Sequence, residues 1–196
     1  MRDCRLVEIL EEAVGQYSVS CRFKNVGDQF EWAFMGVYGP NSDREWCLMW
    51  EELVDLNSWW NLPWCVGEDF NLVWFPSERL GAESFTQGTH NFSDFISNHG
   101  LMDIPLKGGF YTWSNSSSGS QTDHFIFSHH WEEHLPHISQ RRLSRVLTDH
   151  FPIMLEGGSQ HKRQIPFRFE NMWLQAEGLW RKWNHGGRHQ FQGTPS

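Results

Sequence analysis

From Tyr17 to Phe23 the chain alternates, with Tyr17, Val19, Cys21 and Phe23 on one face and Ser18, Ser20 and Arg22 on the other. That two-residue period predicts a half-buried strand. Asn25 to Asp28 reads as a turn, and Phe30 to Tyr38 (FEWAFMGVY) as a second, aromatic-rich strand, so the pair predicts a hairpin. The preceding stretch VEILEEAV (7–14) mixes apolar and acidic residues and has no assignable state. Beyond Gly39-Pro40-Asn41 the period changes. Trp46, Met49, Trp50, Leu53 and Leu56 recur at three- and four-residue spacing, which predicts a helix from Ser42 or Asp43 to about Trp59.

Further along, PWCVGEDF (63–70) is a short apolar strand that ends in acid residues, and 72–87 reads as a long loop. Phe92, Phe95 and Ile96 predict a second helix over 89–98. Short strands follow at 101–104, 110–113, 122–127, 144–147 and 151–155, with SNSSSGS (114–120) as a polar connector. Strands alternating with helices predict an α/β (α+β) sandwich of two mixed β-sheets flanked by helices. The organisation expected is a domain over 1–157, a linker over 158–168, and a Trp-rich helix with a disordered tail over 169–196.

Composition narrows the function classes. The 196 residues carry a formal charge of −8, which argues against a general polyanion coat but not against a local nuclease cleft. Aromatic residues make up 15% of the chain, enough for a substantial core. No apolar run approaches the roughly 18–20 residues of a membrane span, and Met1–Leu10 lacks a signal-peptide apolar segment. An intracellular location, nuclear or cytoplasmic, is the resulting expectation. Cys4, Cys21, Cys47 and Cys65 form no CxxC pair and read as buried free thiols. GxGxxG and GxxxxGK[ST] phosphate loops are absent, as is HExxH.

The chemistry-bearing residues stand where strands stop. Tyr38 ends the second strand, Asp69 and Asn71 end the next, Asp123 opens a strand, and Asp149-His150 precede Phe151-Pro152-Ile153. Each alone has an ordinary structural role: turn former, strand-end phenol, or satisfied Asp–His pair. Together, carboxylates, an amide, an imidazole and a phenol suit phosphodiester chemistry, which needs a base, donors to phosphate oxygens and carboxylates for a metal.

VYGPN (37–41), GEDFN (67–71), TWSN (112–115), TDHF (122–125) and TDHFPI (148–153) occur in the order and spacing of the endonuclease/exonuclease/phosphatase superfamily. FPSERLG (75–81), FSDFIS (92–97), GLMDIPL (100–106), SQRRL (139–143) and PFRFENMW (166–173) resemble its apurinic-type endonuclease domain in plant LINE-type non-LTR retrotransposon polyproteins. The resemblance implies a Mg²⁺- or Mn²⁺-dependent DNA endonuclease. In it Asp69 acts as acid or base, while Asn71 and Tyr38 bind the scissile phosphate. Asp149 helps hold the metal, His150 stabilises charge on phosphorus, and Asp123 orients His150. Thr112 and Asn115 line the DNA cleft.

Four departures from the pattern follow. An Asn and a metal-binding Glu expected on earlier strands are not found before the hairpin, so the domain reads as incomplete at its N-terminus, with Mg²⁺ binding weakened and activity impaired. Missing strands also imply open sheet edges and self-association. Glu68 stands where the family has Gly, which adds charge beside Asp69 and a side chain where glycine's backbone freedom is used. Gln121-Thr122 and His124 replace the usual Arg-Leu and Arg, losing cations expected to favour DNA. Two other readings are a non-catalytic transposon-derived remnant and a zinc module built on His129, His130, His134 and His137 (HHWEEHLPH), for which surface histidines are the simpler explanation.

Overall fold

The computed structural model describes residues 6–135, 137–145 and 148–157. The linker and Trp-rich helix expected over 158–183 lie outside them. The chain begins with an antiparallel meander of β1 (Val7–Val14), β2 (Ser18–Asn25) and β3 (Glu31–Tyr38). VEILEEAV is therefore a strand. Its weak periodicity has a cause, because it is the sheet's edge and interrupts its register between Ile9 and Glu11. Glu8 and Glu12 point to solvent there, and charges plus a bulge discourage pairing with another edge.

Helix α1 (Asp43–Trp60) buries Met49, Trp50, Leu53 and Leu56 of the expected face and adds Trp60, while Trp46 is half-buried. It ends where Asn61 turns left-handed at φ 48° and donates its N–H to the Asn57 carbonyl. From its third turn Glu52 accepts from the N–H groups of Gln16 and Tyr17 and from the Ser18 hydroxyl, at 2.7, 3.2 and 2.7 Å. This carboxylate pins the β1–β2 turn to the helix. Gly15 lets it approach, since a Cβ there would lie 2.0 Å from Glu52 Oε1.

As a crossover, α1 allows β4 (Trp64–Asp69) to pair parallel with β3. Helix α2 (Gln87–Asn98) starts two residues before its expected position, capped by Thr86, whose Oγ1 accepts from the Thr89 N–H at 3.2 Å. β5 (Leu101–Asp103), β6 (Leu106–Lys107), β7 (Trp113–Ser114), β8 (Gly119–Ser120) and β9 (Asp123–Ser128) follow, then α3 (His129–His134), β10 (Ser139–Arg142) and β11 (Ile153–Glu156). Of the strand expected at 144–147, Ser144 and Arg145 are in no strand and the remainder lies outside the described residues, while a strand that was not expected forms at SQRR. Arg141 and Arg142 hide its strand character because only Gln140 is fully buried there.

The main sheet runs β1-β2-β3-β4-β9-β5, and a smaller one runs β11-β10-β6. The mixed-sheet sandwich with flanking helices is thus as expected. Alternation along the central strands feeds both faces. Met35, Val37, Val66 and Ile126 pack with Leu53, Phe92 and Phe95 of the helices. Trp32, Phe34, Cys65, Phe125 and Phe127 pack with Ile153 and Leu155 of the second sheet. Side chains of this size contribute about 1.5–3 kcal/mol each when buried. Gly67 is required at the centre, because a Cβ there would lie 2.3 Å from the Phe125 ring. Of the three described cysteines, only Cys65 is fully buried, and Cys4 lies outside the described residues. Cys21 is half-buried and Cys47 is exposed on α1, because its position falls off the apolar face. No helix among the described residues is long and apolar enough to cross a membrane.

Candidate active site

Strand register alone gathers the first three groups. Asp69, the last residue of β4, is paired with Tyr38 of β3 on one side and with Asp123 of β9 on the other. Beyond β4, Asn71 turns left-handed at φ 53° and gives its backbone N–H to Asp69 Oδ1 at 2.9 Å. Its side-chain amide donates to the Gly39 carbonyl, so Asn71 ties the turn after β3 to the turn after β4. Gly39 is needed at this crossing, since a Cβ there would lie 1.9 Å from the Phe70 carbonyl oxygen.

A second strip of chain brings the imidazole. Trp113 bridges to His150, and the Phe151 N–H donates to the Thr112 carbonyl at 2.6 Å. Thr112 is fully buried, and its Oγ1 accepts from the N–H groups of both Thr122 and Asp123 at 3.0 Å. It therefore stands behind the cleft and fixes the start of β9. Asn115 is exposed and folds its own turn, with Oδ1 accepting from the N–H groups of Ser117 and Ser118. Tyr38 is half-exposed at the cleft margin.

His150 Nδ1 lies 3.2 Å from Asp123 Oδ2, and its Nε2 lies 3.9 Å from Asp69 Oδ2. The hydrogen bond to Asp123 holds the His150 pKa above its ordinary 6.5 despite partial burial, helped by the charges of Asp123, Asp69 and Asp149. Asp69 is 8% exposed; burial, then the Asp123 charge, push its pKa up to about 6. The cleft thus pairs a carboxyl with a pKa of about 6 with an imidazole whose protonated form, which can face a phosphoryl oxygen, is favoured over that of a free histidine.

Several solved structures share this fold over most of the chain. The endonuclease domain of TRAS1, a telomere-specific non-LTR retrotransposon, superposes with a TM-score of 0.61 at 12% identity over 80% of this chain and 70% of that one. An AP endonuclease from Leishmania major gives 0.53 at 15% identity over 70% of this chain and 53% of that one. An endonuclease/exonuclease/phosphatase from Bacteroides vulgatus gives 0.51 at 14% identity, over 78% and 66%. The fold is that of the endonuclease/exonuclease/phosphatase proteins. No protein-family model and no curated protein matches the sequence.

Within that fold a divalent ion is what the resemblance implies, but the residues described here do not fit one unaided. Asp149 is exposed, and its Oδ2 accepts from Trp113 Nε1 at 2.6 Å, the bond that chiefly lowers its pKa. Among the described residues no three His, Cys, Asp or Glu side chains are grouped to hold a metal ion. The histidine cluster is engaged otherwise: His134 stacks on Phe30 at 3.6 Å and bonds Asp28 at 2.8 Å, and His129 faces Glu132 and Glu133.

Sequence reasoning missed three contributors. Trp113 holds Asp149, and only its place in TWSN hinted at it. Arg145 donates to the Ser114 and Asp149 carbonyls at 2.8 and 3.4 Å. The third is His124. It does not face the cleft as a lost DNA-binding cation would, because alternation along β9 turns it inward. There it is fully buried, 3.7 Å from Asp103, 3.8 Å from Glu78 and 3.0 Å from the Gln121 carbonyl.

Burial opposes a charge on His124, yet Asp103 and then Glu78 overrule it and the pKa is raised. Burial likewise raises Glu78. Both groups are held protonated more firmly in the fold than in the unfolded chain. Their stabilisation is therefore complete at low pH and is lost as pH rises through the folded values. The melting temperature is expected to fall as pH is raised above His124's ordinary 6.5. A melting temperature that climbs over that range in thermal scans would contradict this.

Proposed function

We propose that this chain carries a phosphodiester-cleaving DNA endonuclease centre of retrotransposon origin, with activity impaired in the chain as it stands. The observation that carries it is the Asp123–His150–Asp69 constellation at the ends of three chain segments. A carboxylate holds the imidazole through Nδ1, leaving Nε2 turned toward a second, proton-exchanging carboxyl. The LINE-type phrases and the likeness to the TRAS1 domain support the retrotransposon lineage. In this reading Asp69 exchanges the proton of the attacking water or leaving oxygen. His150 neutralises charge on the phosphoryl group, and Tyr38 and Asn71 flank that group. Mg²⁺ or Mn²⁺ enters only through the resemblance, with Asp149 its one candidate ligand, so no step is assigned to it. DNA in the nucleus or cytoplasm is the substrate.

Impairment rests on the lack of a grouped metal site among the described residues and on the buried carboxyl that Glu68 adds beside Asp69 and Asp123, which gains a charge as pH rises toward about 8. Nicking of supercoiled plasmid with Mg²⁺ or Mn²⁺ tests the reading. Slow nicking, reduced about 10²-fold or more by His150→Ala, is the expected outcome. Nicking indifferent to His150 would refute the assignment, and rapid turnover would refute the impairment.

A further inference from the structure

Next to this cleft the structure spends an aromatic side chain on solvent. Phe110 is 86% exposed, more than any other large apolar residue described, and so forgoes the burial that stabilises the other phenylalanines. Its loop is built to present it. Gly108 and Gly109 take φ 88° and 159°, a path open to glycine, and the backbone lies so close to Arg142 that a Cβ at Gly109 would meet its Cζ at 2.1 Å. Arg142 Nη1 then donates to the Tyr111 carbonyl at 3.0 Å, fixing the loop's far end.

The backbone on either side of Phe110 meets a cation, Arg142, on a chain whose net charge is −8. Arg142 and Arg145 both lie over the Phe151 ring, 4.1 and 4.8 Å from its centroid. Arg145 also bonds the Asp149 carbonyl, beside His150. Contacts through the 109–111 backbone, Phe151 and Asp149 thus link the exposed ring's loop, two ring-supported guanidinium groups and the candidate site. Alternating aromatic and cationic groups are how proteins hold single nucleic-acid strands, with bases stacked on rings and phosphates on cations.

We propose that Phe110 stacks on an unpaired base of a DNA strand whose phosphates lie along Arg142 and Arg145. This rests on the endonuclease reading and adds the substrate feature it would recognise: a single-stranded or unstacked nucleotide beside the cleaved bond. Stacking of this kind is sequence-tolerant, because every base offers a π-face.

The test is anisotropy of a labelled single-stranded oligonucleotide titrated with the full chain, repeated over a range of salt. Phe110→Ala is expected to weaken binding about 5- to 150-fold with the salt dependence unchanged. Phe110→Trp is expected to restore it. Arg145→Gln is expected to flatten the salt slope by about 0.7. Melting temperatures of the Phe110 variants should match the unsubstituted chain, since the side chain packs on little. Binding that Phe110→Ala leaves intact overturns this inference and spares the endonuclease reading. The same holds if that variant instead abolishes self-association in sedimentation, which would make Phe110 a protein contact. No saturable DNA binding by the unsubstituted chain overturns both.

Discussion

Replacing Glu68 by glycine is expected to stabilise the fold, most of all in mildly alkaline solution. Glu68 sits at φ 102°, where a Cβ crowds the backbone and glycine does not. Conformations of this kind cost about 1–3 kcal/mol. For a chain of this size that corresponds to roughly 2–4 °C in melting temperature per kcal/mol. A charge penalty adds to the strain. Burial, then Asp123 and Asp69, push the Glu68 pKa up to about 8 from 4.5. A raised carboxyl pKa means that its protonated form is favoured in the fold, so stability is lost as pH rises through about 8. Glu68→Gln removes the charge and keeps the strain, so its gain should grow as pH rises above 4.5 and level off past about 8. Glu68→Gly should gain at every pH. A glycine variant no more stable than the parent would show that neither strain nor repulsion acts there.

Asp123→Asn is expected to disable the candidate site with little change to the fold. The strand pairing and the Thr112 contact to the Asp123 N–H use backbone atoms, which the substitution retains. The carboxylate charge is what is lost. With it goes the charge-assisted hydrogen bond that chiefly raises the His150 pKa, and the charge is also the second cause of the raised Asp69 pKa. Both values should therefore fall toward their ordinary levels, and the favoured protonation of the imidazole beside an exchangeable acid should be lost. Whatever plasmid nicking the chain retains should drop by about 10²–10⁴-fold. An unchanged His150 titration in this variant would mean that the 3.2 Å contact does not organise the imidazole.

These two positions also show what a sequence conveys. The central strands and α1 were legible because Met35/Val37 and Met49/Leu53/Leu56 bury on regular periods. Asp69 and Asp123 stood out as polar groups at strand ends, and their convergence needed only register. β1 was illegible because an edge strand with glutamates on its open face carries half the usual signal. β10 was hidden by two arginines whose roles, to Glu156 and to the Tyr111 carbonyl, are tertiary. His124 looked like a weakened DNA contact. No local pattern reveals that Asp103 and Glu78, far apart in the chain, enclose it. Glu68 announced a conflict with glycine's backbone freedom from the motif alone, while its charge coupling to Asp123 required the β4–β9 pairing.

The most direct measurement is the NMR titration of the His150 imidazole, with and without a dinucleoside monophosphate. The His150 pKa is expected above 6.5, and its ring signals should move when the phosphodiester is added. An imidazole that titrates at or below 6.5 and ignores the diester would contradict the convergence of Asp69, Asp123 and His150 on a phosphate.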